Sequence, residues 1–482
     1  MQWLHENFIV RLLSKYWILL IFFLTFSPCL IFTYVYHNDL DFWMHVGWVR
    51  HVEAGHLVYF SRPVGALLLD IQTNLIRMVP DALLLNGFRV FILFNLILMA
   101  AMLDWFLKNE LSLKKQERVL VVLGTFLQPS WLLAVIWCSN YVPMVFSHLL
   151  GLAAGLLLYH QANEGDQKLL KKILRIFLAG VLLAISVLSY PPAACAFFWP
   201  LCLVYLIRGD FKKYKGFFRD GIFFGVSAGA ALLFHRFVLK DLFCNFWVQC
   251  GTWIPPNSRE YSLTIVSNFE NKQIVFADIL KLVMSSWAAF TGQDTLKLLA
   301  VCAMLAGLIF EFSSTGLKKW KKSEILFFLK KTCFRAVFLF LIFLILNSPN
   351  FVTEGSVVVF RTIAASTILL GIAFLRLTAR IAQAHLRTGA VSLLCLLLVV
   401  SGFLSAYSQS ERYSIIWNVP FSDPAVSRVC AKGPAYYSEL ENLTSVRFAG
   451  RFGPENNIDL RDFDLPIVPS GSLSALCHLQ GF

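Results

Sequence analysis

Two aspartates and one arginine near the N-terminus are the residue types that acid–base and phosphate chemistry would use. Asp39 and Asp41 directly follow the first apolar run, and the pair Arg62-Pro63 precedes a later apolar stretch. Side chains two positions apart share one side of an extended segment, where two carboxylates can bind a divalent metal ion or share a proton. A carboxylate can also accept the proton of an attacking hydroxyl, and an arginine fork can bind two phosphate oxygens. The alternative is that the acidic pair only caps a solvated loop.

Aromatic side chains follow the acidic pair at once. Trp43, His45 and Trp48 belong to an amphipathic stretch that continues to His56. Aromatic residues in such stretches commonly anchor a protein at the membrane–water interface. Sugar rings also stack on aromatic faces, so Trp43, His45 and Trp48 are candidates for lining a sugar-binding groove, with interfacial anchoring as the alternative.

The composition is that of a membrane protein. Of the 482 residues, 57% are hydrophobic and 15% are charged, and the mean hydropathy is +0.66. A soluble domain carries about a quarter charged residues. The net charge of +13 does not indicate nucleic-acid binding, because Lys and Arg fall in short clusters between apolar runs and not on one face of a folded domain. We therefore expect an all-α polytopic membrane protein with no nucleic-acid partner.

Apolar runs of roughly membrane-spanning length recur along the chain and predict about 11 transmembrane helices. Pro191-Pro192 divides one long apolar stretch into two spans joined by a tight turn, and Pro129 is expected to kink the third span or end it early. The first run lacks a small-residue cleavage site, so we expect it to be a retained anchor. The runs are 16–36, 84–106, 119–138, 142–160, 174–190, 193–207, 220–238, 296–312, 333–348, 356–375 and 388–407.

The basic residues predict the orientation of the chain. If the N-terminus is cytoplasmic, every inside segment is rich in Lys and Arg, whereas the alternate turns at 139–141 and 189–192 contain neither. This is the positive-inside pattern, and it indicates an N-in, C-out chain. The predicted parts are a transmembrane domain over 1–407, outside loops at 37–83 and 239–295, and a small outside domain over 408–482.

The cysteines divide between the apolar runs and the outside segments. Cys430 and Cys477 both lie in the tail and can close it with a disulfide in an oxidising compartment, and Cys244 and Cys250 are a second candidate pair. The alternative is that all four are free thiols. The remaining cysteines are expected to act as small hydrophobic residues; they are Cys29, Cys138, Cys195, Cys202, Cys302, Cys333 and Cys395.

The segment 38–65 contains an acidic pair after the first span, Gly47-Trp48 a few residues on, and Arg62-Pro63-Val64 where a new helix is expected to begin. In these features it resembles the serotype-converting O-antigen glucosyltransferases of enteric bacteria and their phages. The polytopic layout and the outside tail also resemble that family, as does Ser189-Tyr190 before an apolar helix. This chain has Asp-Leu-Asp where adjacent acids are usual, and Ser-Arg-Pro where Gly-Arg-Pro is common, so the counterpart of the catalytic aspartate stays open between Asp39 and Asp41.

The resemblance implies a GT-C-like fold in a bacterial inner membrane, with the active site facing the periplasm. The donor would be a polyprenyl-phosphate sugar and the acceptor a lipid-linked or growing polysaccharide. Asp41 or Asp39 would accept the proton of the acceptor hydroxyl, and Arg62 would bind the donor phosphate, with Arg361 as a second candidate. An arginine at the edge of a span, such as Arg361, more often snorkels to the interface. No cofactor is certain; a divalent metal ion on Asp39 and Asp41 is the candidate. A donor synthase and a donor-lipid flippase are the implied protein partners.

Two other functions remain open at this point. An O-antigen polymerase or ligase would use the later outside loop, around Arg236, Lys240 and the segment 255–259. A lipid-linked-sugar flippase or transporter would use the aspartates as a gate or ion site, but the internal repeats typical of transporters are not evident. The chain contains no phosphate-binding glycine loop, dinucleotide fingerprint or HExxH motif.

Overall fold

The computed structural model describes a bundle of helices that carries most of the apolar runs. Every secondary-structure element among the described residues is helical, which confirms the all-α prediction for these parts of the chain. The described residues are 2–31, 63–76, 81–136, 138–163, 169–208, 223–227, 229–230, 273, 275–281, 322–349, 363–379, 381, 383–422 and 431–432.

We label the elements in chain order, with η for the two short 3-10 helices. They are α1 (Gln2–Ile31), α2 (Pro63–Ile76), α3 (Asp81–Asn109), α4 (Lys115–Phe126), α5 (Pro129–Ile136), α6 (Cys138–Asn163), α7 (Leu169–Ser189), α8 (Pro191–Ala194), η1 (Cys195–Phe198), α9 (Trp199–Arg208), α10 (Lys322–Leu346), η2 (Ala364–Thr367), α11 (Ile368–Thr378) and α12 (Ala384–Ser422).

Three of the described helices are long and apolar enough to cross a membrane. The qualifying segments are Gly87–Asn109 in α3, Val142–Tyr159 in α6 and Ala384–Tyr407 in α12. Shorter apolar helices lie within α1, α7, α10, the segment from α8 to α9, and the segment from η2 to α11. The membrane character predicted from the composition is thus supported by helices of spanning length.

Prolines set two of the helix boundaries, as the sequence predicts. α4 ends at Phe126 and α5 begins at Pro129, and the buried Gln128 between them donates from Nε2 to the Gly124 carbonyl at 3.0 Å. α7 ends at Ser189 and α8 begins at Pro191, so the predicted division of this apolar stretch lies at Tyr190, and Pro191-Pro192 open the next helix. Proline lacks the N–H that a continuing helix needs, and in both places the chain starts a new helix instead.

Two elements differ from their predicted extents. α2 lies inside the predicted outside loop 37–83, begins at Pro63 as the Arg-Pro pair predicts, and packs against α6 and α7 with Ala66 buried. Its apolar stretch is too short for a span, so hydropathy alone assigns it to a loop. α12 continues beyond residue 407 to Ser422, because the polar residues that end the apolar run do not end the helix.

Glycines bring several helices into close contact. A Cβ atom on Gly155 of α6 would lie 2.2 Å from the Phe197 carbonyl oxygen in η1, and one on Gly371 of α11 would lie 2.4 Å from the Val121 oxygen in α4. Small residues allow this approach between apolar helices, where packing and not water exclusion drives association. Hydrogen bonds add to it between α6 and α7: Ser147 Oγ donates to the Ser186 carbonyl, and Ser186 Oγ donates to the Ser147 carbonyl, both at 2.8 Å.

Ion pairs join helix ends that carry predicted inside residues. Arg118 at the start of α4 binds Asp104 near the end of α3 at 2.8 Å, and Arg387 at the start of α12 binds Glu117. Arg376 near the end of α11 donates from Nε to the Leu206 carbonyl near the end of α9 at 2.9 Å. All three arginines belong to segments that the positive-inside pattern assigns to one side of the membrane.

Candidate functional site

The residues proposed from sequence for the site lie outside the described parts of the chain. The structure therefore neither brings them together nor separates them, and their roles stay predictions. They are Asp39, Asp41, Trp43, His45, Trp48, Arg62 and Arg361, together with the candidate disulfide cysteines Cys430 and Cys477.

Buried polar contacts converge on η2. Trp131 of α5 donates from Nε1 to Thr367 Oγ1 at 3.1 Å, and Trp199 of α9 donates from Nε1 to the Ala365 carbonyl at 2.8 Å. Asn347, just after α10, donates from Nδ2 to Ser366 Oγ at 2.7 Å. Both indoles and Asn347 are completely buried. We call Trp131, Trp199 and Asn347 the η2 clamp, because they bind three successive residues of η2 from three different helical segments.

A buried histidine stands beside the clamp. The His148 ring of α6 packs edge-on against Trp131, with ring centroids 4.8 Å apart, and lies 6.4 Å from Trp199. Phe126 of α4 packs against both indoles, at 5.4 and 5.9 Å. His148 Nδ1 lies 3.0 Å from the Met144 carbonyl, which can only accept, so Nδ1 carries the proton of this hydrogen bond. The aromatic rings thus form a tight group on one side of η2.

Some of the buried polar atoms without a hydrogen-bond partner among the described residues lie near the clamp. Three of them are His148 Nε2, Asn347 Oδ1 and the hydroxyl of Ser130, which immediately precedes Trp131. Similar atoms on Thr25 and Gln72 lie on α1 and α2. A buried polar group costs free energy unless it is hydrogen-bonded, so such groups are rare in apolar interiors and tend to mark functional regions. The neighbourhood of η2 is therefore a polar region within the described apolar interior.

Sequence reasoning did not select His148, Trp199 or Asn347. The available signal was a single polar residue inside or at the end of an apolar run, which is costly in a membrane and marks a candidate functional position. The same signal applies to Arg89, which is completely buried in α3 between apolar neighbours. Each of these residues looks unremarkable in a hydropathy profile because the surrounding run stays apolar.

Several of the cysteines expected in apolar runs lie among the described residues. Cys29, Cys195 and Cys202 are buried free thiols, as expected for small hydrophobic residues, whereas the free thiol Cys333 is exposed on α10. Among the residues that the structure describes, no group of three or more His, Cys, Asp or Glu side chains is arranged to hold a metal ion. The metal ion considered for Asp39 and Asp41 stays a prediction.

The predicted tail disulfide has a direct test. When the denatured, unreduced protein is treated with a thiol reagent, Cys430 and Cys477 are expected to stay unmodified and to react only after reduction, because a disulfide offers no thiolate. Peptide mass spectrometry reads each position. Cys333, a free thiol, is the internal control and should react before reduction. Full labelling of Cys430 and Cys477 before reduction would rule the bridge out.

No match was found when the chain was compared with protein-family models, with curated proteins and with solved structures.

Proposed function

We propose that the chain is an integral-membrane glycosyltransferase with a GT-C-like fold. It moves a sugar, glucose by the resemblance of segment 38–65, from a polyprenyl-phosphate donor to O-antigen or a related surface polysaccharide. The reaction occurs on the periplasmic face of a bacterial inner membrane. The all-helical apolar architecture supports this class, because a lipid-linked donor requires the enzyme to meet its substrate at the bilayer.

The observation that carries the proposal concerns the chain next to the two candidate phosphate-binding arginines. Arg62 directly precedes the buried Pro63 of α2 in the sequence, and Arg361 precedes the buried Ile363 by two residues. α2 packs on α6 and α7, η2 packs on α8, and α8 packs on α6 and α7. The described segments that follow the two arginines in sequence thus pack on one unit, α6–α7–α8, although Arg62 and Arg361 are 299 positions apart.

The proposed mechanism is a single displacement at the anomeric carbon. Asp41 or Asp39 accepts the proton of the acceptor hydroxyl as its oxygen forms a bond to that carbon. The bond between the anomeric carbon and the carrier phosphate oxygen breaks, and the phosphate leaves with the electron pair. Arg62 and Arg361 stabilise the charge that develops on the phosphate. Trp43, His45 and Trp48 contact the acceptor sugar.

The number of spans and the orientation of the chain in the membrane belong to the same proposal. We take the chain to have about 11 spans with the N-terminus inside and the C-terminus outside. The contacts of Arg118, Arg376 and Arg387 support this, because each joins ends of helices that the orientation assigns to the cytoplasmic side. The tail 408–482 and the loop that carries Asp39 and Asp41 then face the periplasm.

Reporter fusions test this orientation. A phosphatase reporter fused after Phe482 is expected to be active, because the enzyme folds only in the oxidising periplasm, and a reporter fused at Lys319 is expected to be inactive. A cytoplasmic reporter at the same two positions is the control and should give the opposite pattern. Activity at Lys319 and none after Phe482 would contradict the orientation and, with it, the periplasmic site.

One observation favours a second candidate, a lipid-linked-sugar flippase. The break between α4 and α5 lies inside an apolar run, and transporters bind substrates at interrupted helices of this kind. Pro129 is sufficient to cause the break, so this observation is weaker support than the packing of α2 and η2 on α6–α7–α8.

The mass of the surface-polysaccharide repeat unit distinguishes the candidates. In cells with the protein, the transferase predicts a repeat unit that is heavier by one hexose than in cells without it. A polymerase instead predicts longer chains with an unchanged repeat unit. A repeat unit and a chain length that are both unchanged would contradict the transferase proposal.

A further inference from the structure

An exposed stripe runs along the outward surface of α3 and ends at a lysine. Its members recur every three or four residues, which places them on one face of the helix. The opposite face, with Leu93, Leu96 and Leu103, is completely buried in the bundle. The stripe is therefore apolar until its last turn, where it becomes cationic. In chain order its exposed residues are Phe91, Phe94, Leu98, Ala101, Trp105 and Lys108.

The turn that follows, between α3 and α4, is held by hydrogen bonds. The Leu113 N–H donates to the Leu107 carbonyl at 3.2 Å, and Ser112 between them has a φ of 52°, which reverses the chain direction. Arg118 of α4 donates from Nε to Asp104 at 2.8 Å and from Nη1 to the Leu113 carbonyl at 3.2 Å. One guanidinium thus joins the last turns of α3, the connecting turn and the start of α4.

This turn brings two exposed lysines together. Lys108 follows Leu107 and Lys114 follows Leu113, so the hydrogen bond between the two leucines places the backbones of both lysines side by side. Like charges held close together repel each other and favour a bound anion.

The carboxylates near these lysines have other partners. Asp104 and Glu117 are each bound by an arginine of another helix. Glu110, in the turn, is half-buried and has an interaction partner. Among the described residues, no ion pair involves the side chain of Lys108 or Lys114. The corner between α3 and α4 therefore presents exposed positive charge beside an exposed apolar stripe.

An anionic phospholipid matches both parts of this surface. Ammonium groups bind phosphate oxygens, and acyl chains lie against apolar helix faces. Trp105, about one turn before Lys108, is a residue type enriched at the level of the lipid headgroups. A second copy of the chain fits less well, because a two-fold contact through this face would bring the same lysines together.

We propose that the corner between α3 and α4 binds an anionic phospholipid of the bilayer. The phosphate lies between Lys108 and Lys114. An acyl chain extends along Leu98, Ala101 and Trp105. With the orientation proposed above, this lipid belongs to the cytoplasmic leaflet, on the side opposite to the proposed sugar transfer. The inference does not rest on that transfer activity.

Native mass spectrometry of the purified, full-length protein tests the site, because each bound lipid adds its own mass. The protein in detergent is titrated with phosphatidylglycerol or with phosphatidylcholine of the same chain length, and the dissociation constant of the first bound lipid is measured. At about fivefold per lysine, the wild type is expected to bind phosphatidylglycerol roughly 25-fold more tightly than phosphatidylcholine. The double variant Lys108→Gln with Lys114→Gln is expected to remove this preference and to leave phosphatidylcholine binding unchanged.

Two control variants separate a built site from a general effect of charge. Lys108→Arg with Lys114→Arg keeps both charges and should keep the preference. Lys171→Gln with Lys172→Gln removes the same charge from α7 and should also keep it. An equal loss in this second control overturns the inference, as do equal wild-type affinities for the two lipids.

Two other occupants of the same surface give distinct results. If polyprenyl phosphate binds more tightly than phosphatidylglycerol and loses affinity in the Lys108→Gln, Lys114→Gln variant, the carrier and not a bilayer phospholipid occupies the corner, and the inference is overturned. A dimer of the wild type that binds no phosphatidylglycerol, beside a monomer that does, assigns the surface to a second copy and overturns it as well.

Discussion

Replacing the proposed catalytic aspartate with asparagine is expected to lower the rate of sugar transfer by about 10²–10⁴-fold. We favour Asp41, because Phe42 and Trp43 follow it in the sequence and are more apolar than His37-Asn38, which precede Asp39. Asparagine keeps the size and hydrogen bonding of the side chain but cannot accept the proton of the acceptor hydroxyl. The measurement is initial transfer rate in membranes, normalised to the amount of inserted protein.

Asp39→Asn is the matched control for this substitution. It changes the same charge in the same segment, so a loss confined to Asp41→Asn identifies the base, and a loss confined to Asp39→Asn reverses the assignment. Arg62→Lys provides a second comparison, because a point charge replaces a fork that binds two phosphate oxygens, and it should weaken donor binding more than Asp41→Asn does. If both asparagine variants transfer sugar at the normal rate, the chemistry does not use the acidic pair.

Gly155→Ala is expected to destabilise the helical bundle severely. The added Cβ would lie 2.2 Å from the Phe197 carbonyl oxygen, a backbone atom that cannot rotate away, so α6 and η1 must separate. Overpacking a tight core costs about 1–3 kcal/mol or more. The separation would also disturb the adjoining α9, which carries Trp199. The measurement is the midpoint of thermal unfolding in detergent, with protein yield as a second readout.

Gly180→Ala is the control for this prediction. Gly180 lies in the interior of α7, and a Cβ built there meets no atom within 4 Å. Alanine is favoured over glycine in a helix by about 1 kcal/mol, so this variant should be as stable as the wild type or more stable. Equal unfolding midpoints for Gly155→Ala and Gly180→Ala would contradict the close approach of α6 to η1.

Local sequence patterns predict the helices and their breaks because local forces produce them. Pro129 and Pro191 remove backbone N–H groups, and new helices start at both residues in the structure. The start of α2 at Pro63 follows from the same chemistry. The partial burial of α2 was not predictable from hydropathy, because it depends on contacts with α6 and α7.

Local sequence patterns could not predict the η2 clamp, for a different reason. Trp131 and Thr367 are 236 positions apart, and Trp199 and Ala365 are 166 positions apart. No periodicity in a single segment encodes such pairs, since they depend on how separate helices pack. For Asp39, Asp41 and Arg62 the situation is reversed. Their types and spacing in the sequence suggest their chemistry, but all three lie outside the described residues.

Transfer of labelled sugar by the purified protein tests the central proposal most directly. The full-length chain is reconstituted in vesicles with a polyprenyl-phosphate donor that carries radiolabelled glucose, and O-antigen polysaccharide is supplied on the face where the tail 408–482 is accessible. A glycosyltransferase moves the label from the lipid fraction to the polysaccharide, and Asp41→Asn prevents this transfer. A label that stays entirely on the lipid, with intact and correctly inserted wild-type protein, would contradict the proposal.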